Sequence, residues 1–535
     1  MASSKHLQAT GYSIASKIFV QILSRGFTFV LGAITLKYLQ SSALLGIINV
    51  RLALLFTTLQ FMSREPLRRA CLGEAAKREK KDWQRIANTI WLGLPMSFLL
   101  AIPLSSIWLG NTPSVEDLAG TSIRDYHNAV LIYCLSVTVE MLAEPCFILA
   151  QARAISDHNP KVEVVIMVVR CTTAAAVTVL ESSRYRTTDS SNILTKIALC
   201  QLFASLVSVV YSYSHLCATQ NLSISKFLPS IKISEGIKNL DEPSLKLTLG
   251  FISQTFLKQF LTEGERYVMT FFNVITLSEQ GIYDVINNLG SLTARLVLKP
   301  IEDSGFTLFS QTVSRTETLD IRKFYRVQEN LMNLVKSVLV ISLMVLTLGY
   351  NFVPLIVIYG GDKLNNSLAF YLMRWQLFYT PFLALNGITE CFTFAIMNTS
   401  ELRNYNSCLI LLSMVFLVSI YLTQPVLGSA SFIFSNCLIM VSRILYSFKL
   451  IQVYFERHGY TLIIQNMFPS LTTFISLGGA FMILNISQHY MLDLTQPLLL
   501  LSGVALGFWC LIFIMHVIMC HEDDLVRFLS RLFKF

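Results

Sequence analysis

Lys258, Glu263, Glu265, Arg266, Asp284, Arg295, Lys299, Glu302 and Asp303 all fall within Ser244–Phe309, a stretch otherwise apolar enough for two membrane-spanning helices near 245–273 and 280–309. A charge at membrane depth costs roughly 2.5–3.5 kcal/mol on insertion scales, so each must meet a counter-charge or a watery space. On the second helix Asp284, Asn288, Ser291, Arg295 and Glu302 recur at helical spacing and are expected to share one face. Such a stripe can line a path for a polar solute. Elsewhere Lys17, Gln21 and Arg25 share a face of the first span, Arg51 sits within the second, and Arg64, Arg68 and Arg69 close it. Glu140, Glu144, Arg170, Lys336, Arg374, Glu390 and Arg443 lie within later spans. The surplus of cations suits an anionic cargo, because guanidinium grips phosphate oxygens through a planar fork. Arg25, Arg51 and Arg64 are the first candidates for holding a phosphate group, with Arg295 opposite. Arg68, Arg69, Lys258, Asn288 and Arg443 complete the binding set. Glu144, Glu263, Glu265, Arg266, Asp284, Glu302 and Glu390 are read as gating groups or charge partners.

The chain carries no catalytic constellation. Walker A, GxSxG, HExxH and paired-Asp metal motifs are absent from the sequence, so neither nucleotide nor metal nor other cofactor is expected. The 11 cysteines are scattered through apolar segments without a CxxC or zinc-like spacing. Transport without an ATP site must be passive or driven by a gradient.

These residues need elements to hold them, and composition says which. A chain of 535 residues that is 53% hydrophobic and 14% charged, with mean hydropathy +0.56, is a polytopic helical membrane protein. Spans are predicted near 12–37, 44–63, 87–109, 127–150, 161–180, 193–217, 245–273, 280–309, 327–349, 368–397, 404–423, 428–454, 462–486 and 497–520. Lys and Arg crowd alternate connections, notably 64–86, whereas the other side holds only Lys37, Arg124, Arg184, Arg186 and Lys363. By the positive-inside rule both termini are cytosolic. The net charge of +9 is therefore topology, not nucleic-acid binding.

Residues 1–217 hold spans one to six, 218–244 form a polar cytosolic linker, 245–455 hold spans seven to twelve, and 456–535 hold the last two spans and a tail. Two six-span units related by a parallel repeat are expected, since Glu144-Pro-Cys-Phe and Glu390-Cys-Phe recur in the fourth span of each. The fold class is thus all-α, with 14 spans: two six-helix lobes around a central cavity, plus two C-terminal helices that lack buried charges.

The segments LTEGERYVMTFFNV, QGIYDVINNLGSLTARLV, KPIEDS, NVRLALLFTT, REPLRRACL and NGITECFTFA resemble the eukaryotic dolichol-linked oligosaccharide translocation family of the endoplasmic reticulum. The likeness runs from about Ser13 to the end and is most specific over Gln254–Ser304. It implies the fold of the multidrug and polysaccharide-lipid exporter superfamily. It also implies a role in N-glycosylation, moving the heptasaccharide on dolichyl diphosphate from the cytosolic to the lumenal leaflet. The alternative is a non-transporting, glycolipid-binding accessory protein of the same pathway. An integral glycosyltransferase would need a large lumenal loop, and the lumenal loops are short.

Overall fold

The computed structural model describes residues 26–522 except 28, 40, 76–82, 119–120, 153–157, 185–191, 221–227, 230–239, 273, 314–320, 459, 461–466 and 492–496. Among the described residues every regular element is helical. The chain packs as two compact units, Met1–Ile282 and Tyr283–Phe535.

The first unit begins with α1 (Phe29–Tyr38), the described part of the first predicted span, followed by α2 (Ser42–Leu72) and α3 (Gln84–Gly110). Next come α4 (Ile123–Met141), α5 (Glu144–Ala152), α6 (His158–Arg184), α7 (Ile193–Gln220) and α8 (Glu242–Phe271). The opening turns of α9 (Leu277–Thr293) also belong to this unit. Side-chain oxygens fix several helix starts by accepting backbone N–H groups that have no partner within the helix. Asp241 caps α8 through the Ser244 amide (3.1 Å), and Asp125 of α4 caps α7 through the Leu194 and Thr195 amides (3.0 and 2.9 Å). The second of these ties two helices together through one carboxylate.

Among the described residues two π-helical segments widen the coil, Gly46–Leu52 inside α2 and Ala294–Leu298 after α9. Near the first, α2 and α9 cross with backbones touching. A Cβ on Gly46 would overlap the Leu277 carbonyl, one on Gly281 would overlap the Ser42 carbonyl, and the Ser42 and Ser278 hydroxyls hydrogen-bond across the crossing. Small residues permit this approach, as in other helix pairs in lipid.

The second unit contains α10 (Lys299–Thr312), α11 (Ile321–Asn351), α12 (Ser367–Ile396), α13 (Thr399–Leu427), α14 (Ser431–Arg457), α15 (Leu471–Met491) and α16 (Pro497–His521). Its main core joins α10, α11, α12 and α14 around Phe309, Phe324, Phe392 and Phe455. Gly428, at φ 54°, makes the turn between α13 and α14 that a side chain would strain. The thirteenth span was expected over 462–486, but α15 starts at Leu471, because Pro469 and Ser470 form a non-helical lead-in.

Eight helical stretches among the described residues are long and apolar enough to cross a membrane, or nine if α4 and α5, bent by 41°, make one span. The chain is a multi-pass membrane protein.

Helices α15 and α16 pack on α11 through Val340, Leu477, Leu484, Ile514 and Ile518. Lys336 was expected to add a positive charge to a polar interior. It reaches instead to Glu522, just past α16, at 3.0 Å. Glu522 also accepts the Ser470 amide and the Thr473 hydroxyl. Burial alone would raise the Glu522 carboxyl, but the Ser470 amide and the Lys336 ammonium outweigh it and hold the group below its usual range. A depressed carboxyl contributes stability above its unfolded value of about 4.3 and loses it as pH falls through the folded value. Glu522→Gln is therefore expected to cost about 3 kcal/mol at pH 7. The gap in thermal midpoint from the unmodified protein should close below about pH 4; a gap independent of pH would refute the assignment.

Candidate functional site: two arginines on one buried carboxylate

Gln60, Arg64 and Arg68 are spaced by four and share one face of α2. Facing them are Glu140, near the end of α4, and Glu144, the first residue of α5. The chain breaks between these two helices where Pro145 lacks an amide hydrogen. The Tyr213 hydroxyl occupies the Leu142 carbonyl at the break (2.9 Å). The break puts Glu144 at a helix N-terminus, where the dipole favours a carboxylate.

Glu144 serves both arginines. Arg64 Nε donates to Oε1, while Arg68 donates through Nε to Oε2 (2.7 Å) and through Nη2 to Oε1 (2.9 Å). The Phe147 ring lies against both guanidiniums, with Cζ at 5.5 and 5.0 Å from its centroid. Glu140, one turn earlier, accepts the Gln60 amide (2.5 Å) and the Ser205 hydroxyl (2.9 Å). The Glu144 side chain is 5% exposed, but Arg64 and Arg68 keep 17% and 25%, so an approaching anion can reach the cations. Beside them Glu65 bridges Arg69 (2.8 Å) and Lys258 of α8 (3.5 Å), and the Lys258 ammonium sits 5.3 Å from the Phe61 centroid. Such an arrangement offers no nucleophile paired with a base. It can bind an oxyanion by trading carboxylate oxygens for phosphate oxygens.

Other expected site residues lie elsewhere. Arg25 is outside the described residues. Arg51 is 4% exposed and donates to the Asn111 carbonyl at the end of α3 (2.9 Å) and the Thr270 carbonyl in the last turn of α8 (3.5 Å). A cation there complements two helix C-termini. Thirteen residues separate it from Arg64, roughly 20 Å along α2, so the two do not share a site. Arg266 pairs with Glu263 on its own helix at 3.3 Å, and Glu265 is half-buried beside them.

In the second unit Glu390, followed like Glu144 by a Cys and a Phe, lies well inside α12. It too holds an arginine, but from a different helix: Arg443 of α14 at 2.6 Å, with the Tyr405 hydroxyl (2.6 Å) and the Asn386 amide (3.1 Å). Asn288 donates to Asp284 (2.9 Å), and Arg295 turns back to the Asn288 carbonyl (2.6 Å) and the Ser291 hydroxyl (2.8 Å). The expected stripe is therefore continuous from Asp284 to Arg295 but excludes Glu302. The π-helical turn at Ala294–Leu298 intervenes and rotates the rest of the helix. Glu302 faces α12, where a Cβ at Gly387 would overlap its carboxylate, and it lies 3.6 Å from Lys299.

Sequence reading missed Gln60, Phe61, Glu65, Phe147 and Ser205 as parts of the cluster. Gln60 was legible as the next step of the Arg64–Arg68 spacing; Ser205 carried no signal.

Residues 10–532 match the family model described as "Rft-1: Rft protein". A Xenopus tropicalis protein named "Man(5)GlcNAc(2)-PP-dolichol translocation protein RFT1" is 33% identical over 521 residues, covering 96% of this chain and 94% of its own. The Mus musculus protein of the same name is 36% identical over 465 residues, 85% and 84% of the two chains. Among solved structures, "Lipid II flippase MurJ, inward closed conformation" superposes with TM-score 0.62 at 13% identity, covering 94% of this chain and 99% of that one. An inward-facing multidrug resistance MATE family transporter gives TM-score 0.52 at 10% identity, with 80% and 94% covered. These two show the fold shared with this chain.

Proposed function

The chain belongs to the Rft protein family, and from that premise we propose that it carries Man(5)GlcNAc(2)-PP-dolichol from the cytosolic to the lumenal leaflet of the endoplasmic reticulum membrane, as a carrier rather than an enzyme. The observation that carries the reading is the near end-to-end match to relatives named for this translocation. We assign the chain 14 crossings in two six-helix sets and a final pair, with both termini cytosolic. The Arg64–Arg68–Glu144 cluster then lies toward the cytosolic side and takes the diphosphate. Each charge-assisted bond to phosphate contributes about 1.5–3 kcal/mol, enough for a diphosphate to displace Glu144 from one arginine and leave it paired with the other. Arg69 and Lys258 add positive charge beside the incoming group.

The test is translocation of the authentic glycolipid by purified protein in sealed vesicles, with binding measured in parallel. The double variant Arg64→Lys, Arg68→Lys keeps the charge and loses the planar fork. It is expected to slow translocation at least tenfold and weaken binding to match. Binding without translocation by the unmodified protein would favour the accessory reading. Full translocation by the double variant would move the diphosphate site elsewhere.

A further inference from the structure

Arg374 of α12 plays no part in the cluster above. Its guanidinium carbon lies 5.0 Å from the centroid of the Tyr350 ring of α11, and its Nε is buried without a hydrogen-bond partner. Among the described residues no carboxylate stands within ion-pair distance of it, whereas Arg64, Arg68, Lys258, Arg266, Lys336 and Arg443 each have one. An arginine this deep in a membrane helix needs an anion from somewhere.

Its direction says from where. Gln376, two residues on and so about 200° around the helix, contacts Asn287 (3.3 Å) and fills the space over Gly290 on α9. Arg374 thus lies on the opposite flank of α12, toward α11. There Tyr350 also touches the Phe481 ring of α15, 5.4 Å between centroids. Phe378, one turn further along the same face of α12, is an exposed apolar side chain suited to an acyl chain. Along α12, Arg374 is 16 residues from Glu390, roughly 24 Å, so it sits toward the other face of the bilayer. From Ser367 at the helix start it is about 10 Å deep, within reach of a headgroup for a side chain that extends toward the interface.

We propose that Arg374, held against the Tyr350 ring, binds the phosphate of a glycerophospholipid at the junction of α11, α12 and α15. The contact with the ring limits the freedom of the guanidinium, so less is lost when its fork meets phosphate oxygens. An acyl chain of the lipid lies over Phe378 of α12.

The experiment uses the full-length protein, purified in detergent and stripped of lipid. Phosphatidylinositol in mixed micelles, inorganic phosphate and the dolichyl-diphosphate glycolipid are each titrated while the thermal midpoint is followed. Phosphatidylinositol is expected to raise the midpoint saturably in the unmodified protein. Half-saturation should shift at least tenfold upward in Arg374→Gln, with Tyr350→Leu intermediate. Arg374→Lys keeps the charge but not the fork; it is read the same way, so a glutamine variant that fails to fold leaves the comparison intact. Equal half-saturation in the unmodified protein and the Arg374 variants overturns the proposal. So does an equal response to inorganic phosphate, which marks a free-anion site, or a response to the dolichyl glycolipid alone, which marks a second cargo site. Unchanged glycolipid translocation in Arg374→Gln, alongside the lost lipid response, separates this site from the Arg64–Arg68 cluster.

Discussion

Replacing Glu144 with glutamine is expected to cost about 3–5 kcal/mol of stability, because two half-buried guanidiniums then share no counter-charge. The variant keeps the shape of the side chain and one carbonyl acceptor, so the loss reports charge and not packing. Arg64→Gln should cost less, since Arg68 retains both of its bonds to Glu144. The double variant Glu144→Gln, Arg64→Gln should recover part of the loss, giving a coupling energy of order 1–3 kcal/mol in the cycle. Thermal midpoints of the four proteins check this. Additive losses would mean that the three groups are solvated independently, and the exchange of carboxylate for phosphate would then have no basis.

Gly281→Ala is expected to be as damaging for a different reason. A methyl group there runs into the Ser42 carbonyl and stands 2.8 Å from the Gly46 amide nitrogen and 2.9 Å from the Leu45 Cβ. Two of these are backbone atoms, which cannot rotate away as a side-chain tip can. The helices must separate, at about 3 kcal/mol or more. Gly264→Ala in α8 is the control: nothing lies within 4 Å of its added methyl. Its better helix propensity should raise stability by about 0.5–1 kcal/mol. If both variants melted alike, the crossing would not be the close contact described.

Much of the architecture was legible because a bilayer enforces it. Apolar runs of fixed length became α3, α6, α7, α11 and α16 with ends within a few residues of expectation. The site was legible only along single helices. The spacing of Arg64 and Arg68 put them on one face, and the recurrence of Glu-Cys-Phe in the fourth spans pointed to Glu144 and Glu390. Which cation each carboxylate holds depends on helix crossings that spacing does not encode, so Glu390 took Arg443 from α14 and Lys336 went to Glu522. Arg51 shows the other limit: an arginine among apolar residues looks the same in sequence whether it awaits a ligand or seals two helix ends. The break before Pro145 was read as part of one continuous span, yet it is what aims Glu144 at α2.

The π-helical turn in α2 carries a consequence for how this protein tolerates change. Seven residues, Gly46–Leu52, absorb one surplus residue without interrupting the rod. Each residue of an ordinary α-helix advances the winding by about 100°. Deleting a single residue between Gly46 and Leu52 would let the segment relax to ordinary winding with everything downstream still in phase. Deleting one between Ala53 and Gln60, where the winding is already ordinary, would instead turn everything downstream by that angle. Arg64 and Arg68 would swing off Glu144 while the apolar profile, net charge and length of the span stayed almost as before. In this helix the phase of the winding is inherited information in its own right. A one-codon deletion between Ala53 and Gln60 should therefore be harsher than most substitutions of the arginines themselves, while the same deletion within Gly46–Leu52 should leave their pairing with Glu144 in place.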